Sequence, residues 1–172
     1  PISADTGKRV AIIGAGPAGL SAAYFLRRQG HAVSIFDDRE EPGGALRYEI
    51  PEERLPRHIL NSEIDVIRKM GVVFNQQVRA DIRVLRTQFD AVVLATGTLG
   101  DEPLPEGLER ASRGLKVQKG SGQTGLTGVF ATGGVVAPGK ISIRSIGDGH
   151  VVADHVHEFL TGEKLPNTIP FN

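Results

Sequence analysis

The sequence contains no cysteine. This excludes a structural disulfide, a CxxC redox pair and an iron–sulfur cluster held by the chain itself, and it agrees with a reducing, cytoplasmic compartment. Net charge is missing too. Twenty Lys and Arg stand against twenty Asp and Glu, so no overall field draws nucleic acid or an anionic membrane to the surface. No apolar run approaches the roughly 18 residues of a membrane span, and the first residues show no signal-peptide pattern. Pro1–Gly7 reads as a linker-like start without an initiator methionine, which suggests a chain cut from something longer. What remains is the composition of an ordinary globular domain, 40% hydrophobic and 23% charged. At 172 residues the chain makes one well-buried domain and is short for two.

Glycine, by contrast, is plentiful at 22 residues, and it clusters at 14–19, 43–44, 97–100, 120–128, 133–134 and 147–149. Between the clusters the pattern alternates. Val10–Ile13 is a short continuous apolar run of the kind that suits a parallel strand buried on both faces. Leu20–Gln29 then reads as a helix ending at Gly30, and Val33–Phe36 as a second strand, closing a βαβ unit of about thirty residues. After an irregular stretch over Glu40–Pro56, the stripe Leu60, Ile64, Ile67 and Met70 gives a helix that stops at Gly71. Further strands are expected at Val72–Phe74, Phe89–Ala95, Leu115–Gln118 and Gly128–Thr132, with a polar connection over Asp101–Arg113. Val152, Val156, Phe159 and Leu160 mark a last helix with Gly162 behind it. The fold expected is α/β, a doubly wound parallel-sheet (Rossmann-like) FAD/NAD(P)-binding domain with a small additional β layer.

The chemistry sits in Gly14-x-Gly16-x-x-Gly19, between a predicted strand and a predicted helix. Gly14 permits the tight turn, Gly16 lets a pyrophosphate approach the backbone, and Gly19 allows close helix–strand packing. Pro17 suits the first helical turn, where its missing N–H has no partner to lose. The positive helix end favours a diphosphate. Asp37 ends the second strand 18 residues after Gly19, where a carboxylate can accept from both ribose hydroxyls. Gly120-x-Gly122-x-x-Gly125 spells the same pattern but leads into a strand, so it reads as a turn.

Lys8–Gly19, Gly43-Gly44-x-Leu46-Arg47, Ile50-Pro51, Ala95-Thr96-Gly97, Gly128–Gly133 and Ile146-Gly147-Asp148-Gly149 resemble, in order, the FAD domain of the glutamate synthase small-subunit family. That family includes other two-dinucleotide-binding flavoproteins of the pyridine nucleotide-disulfide oxidoreductase superfamily, such as dihydropyrimidine dehydrogenase. The resemblance implies that Gly14, Gly16, Pro17, Ala18 and Gly19 line the FAD pyrophosphate and that Asp37, with Asp38 beside it, holds the adenosine ribose. It implies Gly44, Leu46 and Arg47 beside the flavin, Val78 at the adenine, and Ala95, Thr96 and Gly97 over the dinucleotide. Gly133 and Gly134 would lie at the ribityl chain, and Ser142, Ile143 and Ile146 on a helix whose N-terminus faces the flavin pyrimidine ring. Such a helix end stabilises anionic reduced flavin.

Two departures accompany the resemblance. The family inserts a nicotinamide-binding unit after its ATG strand, but here Gly97 and Gly114 are separated only by loop 98–113. The expectation is therefore one FAD domain over 1–172 with no nicotinamide site of its own. Second, the family shows Gly-Asp where this chain has Gly133-Gly134. Losing that charge-assisted hydrogen bond costs roughly 1.5–3 kcal/mol, which weakens FAD without abolishing it.

His31, His58, His150, His155 and His157 read as solvated surface positions. His155 and His157 are two apart on a helix and make poor joint metal ligands. No nucleophile–base arrangement emerges from Ser21, Ser142 or Ser145, so no catalytic side chain and no metal are expected. The leading expectation is an FAD-binding electron-transfer domain that exchanges electrons with a partner protein or domain, such as one bearing iron–sulfur clusters. Alternatives are a fragment of a longer NAD(P)H-dependent iron–sulfur flavoprotein, and a non-catalytic dinucleotide-binding module, with NAD the lesser ligand candidate.

Overall fold

A computed structural model describes residues 1–139 and 142–165. Its elements run in chain order β1 (Arg9–Ile13), α1 (Pro17–Arg28), β2 (Ala32–Phe36), α2 (Ala45–Tyr48), α3 (Arg57–Lys69), β3 (Val73–Asn75), α4 (Ile82–Gln88), β4 (Ala91–Leu94), β5 (Arg110–Ala111), β6 (Gly114–Leu115), β7 (Val129–Ala131) and α5 (Ser142–Thr161), with a single 3-10 turn at Gly133–Val135. Five strands form one parallel sheet in the order β3-β2-β1-β4-β7. The small additional β layer is the antiparallel pair β5-β6.

Alternate residues of the buried strands serve opposite faces. Val10, Ile12, Ile35, Val93 and Phe130 join a core with Leu26 of α1, Leu60 and Ile64 of α3, and Val152 and Val156 of α5. Ala11, Val92, Leu94, Val129 and Ala131 join a second core with Ile82 and Leu85 of α4 and Leu115 of β6. Helices on both faces make the sheet doubly wound. The chain steps from β1 outward to β2 and β3, then crosses back to β4. The carboxyl ends of β1 and β4 are thus the switch point where such sheets open a crevice.

Most expected elements form. α1 starts one residue after Gly16, with Pro17 first, and the chain leaves it through Gly30 at φ 93°. α3 starts three residues before Leu60, directly after Pro56. Of the strand expected at Leu115–Gln118, only Gly114–Leu115 pairs as a strand, although the Gln118 N–H still donates to the Gln123 carbonyl at 2.7 Å. α4 was not anticipated. Asp81 caps it by accepting from the Arg83 N–H at 2.9 Å, and the cap followed by Ile82 and Leu85 was its available signal.

α5 buries Val152 and Val156 as expected and packs Leu160 against the core, but its buried line also takes in small and polar residues and leaves Phe159 out. Its inward residues are Ser145, Gly149, Val152, Ala153, Val156 and His157, while Phe159 stays 43% exposed, its ring edge-on to Phe130. The reason is the crossing with α1: a Cβ on Gly149 would stand 2.4 Å from the Ala18 carbonyl oxygen. Small residues therefore define the contact line. Ser21 Oγ donates to the Ile146 carbonyl at 2.6 Å across the same crossing.

The surface assignment of the histidines is corrected at two positions. His31 and His157 are buried, and their Nε2 and Nδ1 atoms lie 2.8 Å apart. His31 Nδ1 also meets Thr6 Oγ1 at 2.7 Å. His31 directly follows the Gly30 turn, and α5 brings His157 over it, a pairing between residues distant in sequence. Thr6 belongs to the linker-like first residues, which run against the end of α1: the Ser3 N–H bonds Arg28 and the Thr6 N–H bonds Gly30.

Candidate functional site

At the switch point the strand ends open into a cleft of about 760 Å³, within the usual range for ligand sites. Its floor is built from the turns after β1, β4 and β7. Gly14 has φ 110°, and a Cβ there would stand 2.1 Å from the Ala95 carbonyl oxygen. Only glycine lets the β1 turn lie this close to the end of β4. Gly19 carries the matching constraint from the helix side, since its Cβ would meet the Gly14 carbonyl oxygen at 2.1 Å. Together these glycines aim the first turn of α1 into the cleft, with its positive end and free N–H groups.

The second glycine-rich turn docks on the first. The Gly43 N–H donates to the Ala15 carbonyl at 2.8 Å. Gly44, at φ 53°, approaches so closely that its Cβ would lie 2.6 Å from the Gly16 Cα. The cleft thus gains a backbone wall on the side opposite the sheet.

At the other end Asp37, 7% exposed, follows β2 and accepts from Gln76 Nε2 at 2.7 Å. Burial pushes its carboxyl above the ordinary range and the nearby Asp38 adds to this, while the Gln76 hydrogen bond opposes them. The carboxylate is therefore held in place, partly desolvated and facing the cleft. The Val78 N–H donates to the Asp37 carbonyl at 2.9 Å, which brings Val78 to the rim.

Gly14, Gly16, Pro17, Ala18, Asp37, Asp38, Gly44, Val78, Ala95, Thr96, Gly97, Gly134 and Ser142 all line this one cleft. Other expected site residues do not. Gly19 and Gly133 act as close-packing positions, and a Cβ on Gly133 would stand 2.7 Å from the Ala18 Cβ. Leu46 packs against the core. Arg47 is buried, with Nε on the Pro42 carbonyl at 2.7 Å and another nitrogen on Asn61, so it braces the turn around Gly44. Ile143 and Ile146 lie on exposed faces of α5, 72% and 44% exposed.

Sequence reasoning missed Arg39, Tyr48, Arg79, Glu102, Thr132 and Ser145 on the cleft wall. Arg79 and Glu102 pair at 3.1 Å across its rim. Among the described residues, the Thr132 hydroxyl is buried with no hydrogen-bond partner. The second glycine pattern is a turn, as expected: Gly120 and Gly122 have φ 90° and 77° and no helix follows. Among the described residues no cluster of His, Asp or Glu suits a metal ion, and no helix is long and apolar enough to cross a membrane.

Residues 12–74, which carry the β1 turn, α1 and Asp37, match the family described as an NAD(P)-binding Rossmann-like domain. The β subunit of the NADP(+)-dependent formate dehydrogenase of Moorella thermoacetica is 50% identical over 96 residues, covering 54% of this chain and 14% of that protein. The glutamate synthase [NADPH] small chain of Mycobacterium tuberculosis is 40% identical over 129 residues, covering 67% of this chain and 26% of that one. The chain has a Rossmann-like fold and is similar over part of its length to the glutamate synthase small chains. The domain spans about a quarter or less of these two relatives. In fold it resembles a thioredoxin reductase from Gloeobacter violaceus, with a TM-score of 0.64 at 15% identity over 93% of this chain and 98% of that one.

Proposed function

We propose that this domain binds FAD and serves as the flavin-bearing part of an oxidoreductase, exchanging electrons with a partner domain or subunit. The observation that carries the reading is the cleft itself. One continuous space runs from a buried carboxylate at Asp37, over the α1 N-terminus between Gly14 and Gly16, to the first turn of α5 at Ser142 and Ser145. That layout offers an acceptor for a sugar diol, a cradle without side chains for a diphosphate, and a second helix N-terminus beyond it.

FAD fits these residues on two counts. Gly16 presents bare backbone to the cleft, where a Cβ would meet nothing nearer than the Gly44 Cα at 3.8 Å, and the buried Asp37 carboxylate stands at one end of the same space. The bound cofactor would supply hydride or single-electron transfer through its ring. The chain's own residues hold and orient it. Asp37 accepts from the adenosine ribose, the α1 amides face the diphosphate, and Arg47 and Asn61 fix the Gly44 turn. The positive end of α5 favours negative charge gathering near Ser142.

Loop 98–113 carries Leu99, Leu104 and Leu108 onto the sheet's second face. It supports reading the chain as one unit whose electrons come from outside, an iron–sulfur protein being the chemistry that would exchange them singly. A cysteine-free chain suits a reducing, cytoplasmic setting for this exchange. Quenching of FAD fluorescence on titration tests the reading: saturable 1:1 binding displaced by ADP supports it, and no quenching refutes it.

A further inference from the structure

Arg57 is the first residue of α3, directly after Pro56. A cation at that end opposes the helix dipole, so helix formation does not call for arginine there. The carbonyls of the preceding segment do. Arg57 Nη1 donates to the Leu46 carbonyl at 3.3 Å and to the Leu55 carbonyl at 3.1 Å. Its Nη2 donates to the Arg47 carbonyl at 2.6 Å and to the Ile50 carbonyl at 2.8 Å. Segment 46–55 is thus gathered around one half-buried guanidinium, whose flat fork serves all four acceptors at once.

Two of those acceptors, Leu46 and Arg47, lie in α2. This helix is a single turn, Ala45–Tyr48, too short to persist on its own backbone bonds, and its last carbonyls have no partner within it. Yet it forms one wall of the cleft, which Gly44, Ala45, Tyr48 and Glu49 all border. Its support comes from behind. Arg57 lies outside the lining of the cleft, on a helix fixed to the core through Leu60 and Ile64. Asn61, one turn further along α3, accepts from the Arg47 guanidinium. The wall stands where it does because α3 holds it from the far side.

We propose that Arg57 is a positioning residue for dinucleotide binding: its four carbonyl bonds hold α2, and with it the wall from Gly44 to Tyr48, in the geometry that the ligand meets. The inference rests on the FAD reading above. Without the clamp α2 leaves this position part of the time, and apparent affinity falls in proportion to the fraction of molecules that still present the wall.

The test measures FAD and ADP affinity by isothermal titration calorimetry on the whole chain, in wild type, Arg57→Lys and Arg57→Ala, with backbone amide exchange followed in parallel. The expected result in Arg57→Ala is a loss of about tenfold for both ligands, equivalent to roughly one competent molecule in ten. Exchange should quicken at Tyr48, Glu49 and Ile50, whose N–H groups donate to the Gly44 and Ala45 carbonyls, while β1 and β4 stay protected. Saturating ADP should restore protection at those three amides. Arg57→Lys, a point charge that cannot reach all four carbonyls, should fall between wild type and Arg57→Ala.

Unchanged affinity in Arg57→Ala overturns the proposal, because the ligand then does not need the clamped wall. A loss accompanied by faster exchange throughout β1 and β4 overturns it in favour of a general loosening of the fold. A wild-type protein that binds ADP but not FAD overturns the FAD reading alone, since the ADP series still tests Arg57.

Discussion

Gly16 and Gly44 belong to different turns, yet their backbones touch: a Cβ on Gly44 would stand 2.6 Å from the Gly16 Cα. The contact joins the α1 turn to the turn before α2 and walls the cleft. Gly44→Ala meets both the clash and a φ of 53°, a strain of roughly 1–3 kcal/mol. The expected outcome is a folded protein by circular dichroism with FAD affinity reduced at least tenfold. Unchanged affinity would show that the two turns need not touch for binding.

The buried Asp37 carboxyl carries a cost to stability when ionised. Burial raises its carboxyl above the ordinary range, so the folded state protonates more readily than the unfolded one. By linkage its contribution to stability declines as pH rises from the unfolded carboxylate range through the raised folded value. Asp37→Asn removes the buried charge and still offers an acceptor to Gln76. The melting temperature of the ligand-free protein should therefore hold or rise at neutral pH while FAD affinity falls. A lower melting temperature together with intact FAD binding would reverse this account.

The glycine fingerprint and Asp37 were readable because each acts within a few residues of chain: strand, turn, helix, strand. Their partners were not. Nothing local announces that Gly43 docks on Ala15, that Tyr48 and Arg79 reach the same wall, or that Arg47 faces Pro42 and Asn61 instead of the cleft. The α5 stripe was readable at Val152, Val156 and Leu160 and misled only at Phe159. Hydrophobicity pointed to Phe159, but the crossing with α1 selects small residues at Ser145, Gly149 and Ala153.

That crossing yields a prediction. Gly149→Val forces branched carbons against the Ala18 carbonyl, which a Cβ alone would already meet at 2.4 Å. Overpacking of this kind costs roughly 1–3 kcal/mol. Urea unfolding should show that loss, and FAD affinity should fall with it because α5 carries Ser142 and Ser145 to the cleft. Wild-type stability would mean that the helices part without penalty.

The buried His31–His157 pair makes the fold sensitive to acid. Burial first, and His157 second, push the His31 imidazole down from 6.5 to about 4. Between those values the unfolded chain binds the proton and the folded one does not, so stability is full above pH 6.5 and is lost as pH falls toward 4. At 1.36 kcal/mol per pH unit the loss reaches roughly 3 kcal/mol. Urea unfolding at pH 7 and pH 4.5 should show this decline in wild type and a shallower one in His31→Gln. Equal slopes would count against the pair.

Gly134→Asp tests whether the absent carboxylate weakens FAD binding. The new carboxylate adds an acceptor at the cleft floor, but its Cβ must displace the Gly97–Thr98 peptide from 3.3 Å. The expected gain in FAD affinity is threefold to tenfold, below that of an unhindered charge-assisted bond. A loss of affinity would show that glycine at 134 is required by the loop.

The most direct measurement is the visible spectrum of the purified chain after incubation with FAD and removal of free cofactor. The expected result is flavin bands that travel with the protein and bleach with dithionite, but persist when NADH or NADPH alone is added. Absence of any protein-bound flavin bands even with saturating FAD kept in solution would contradict the FAD reading, and rapid bleaching by a nicotinamide would contradict the dependence on an outside donor.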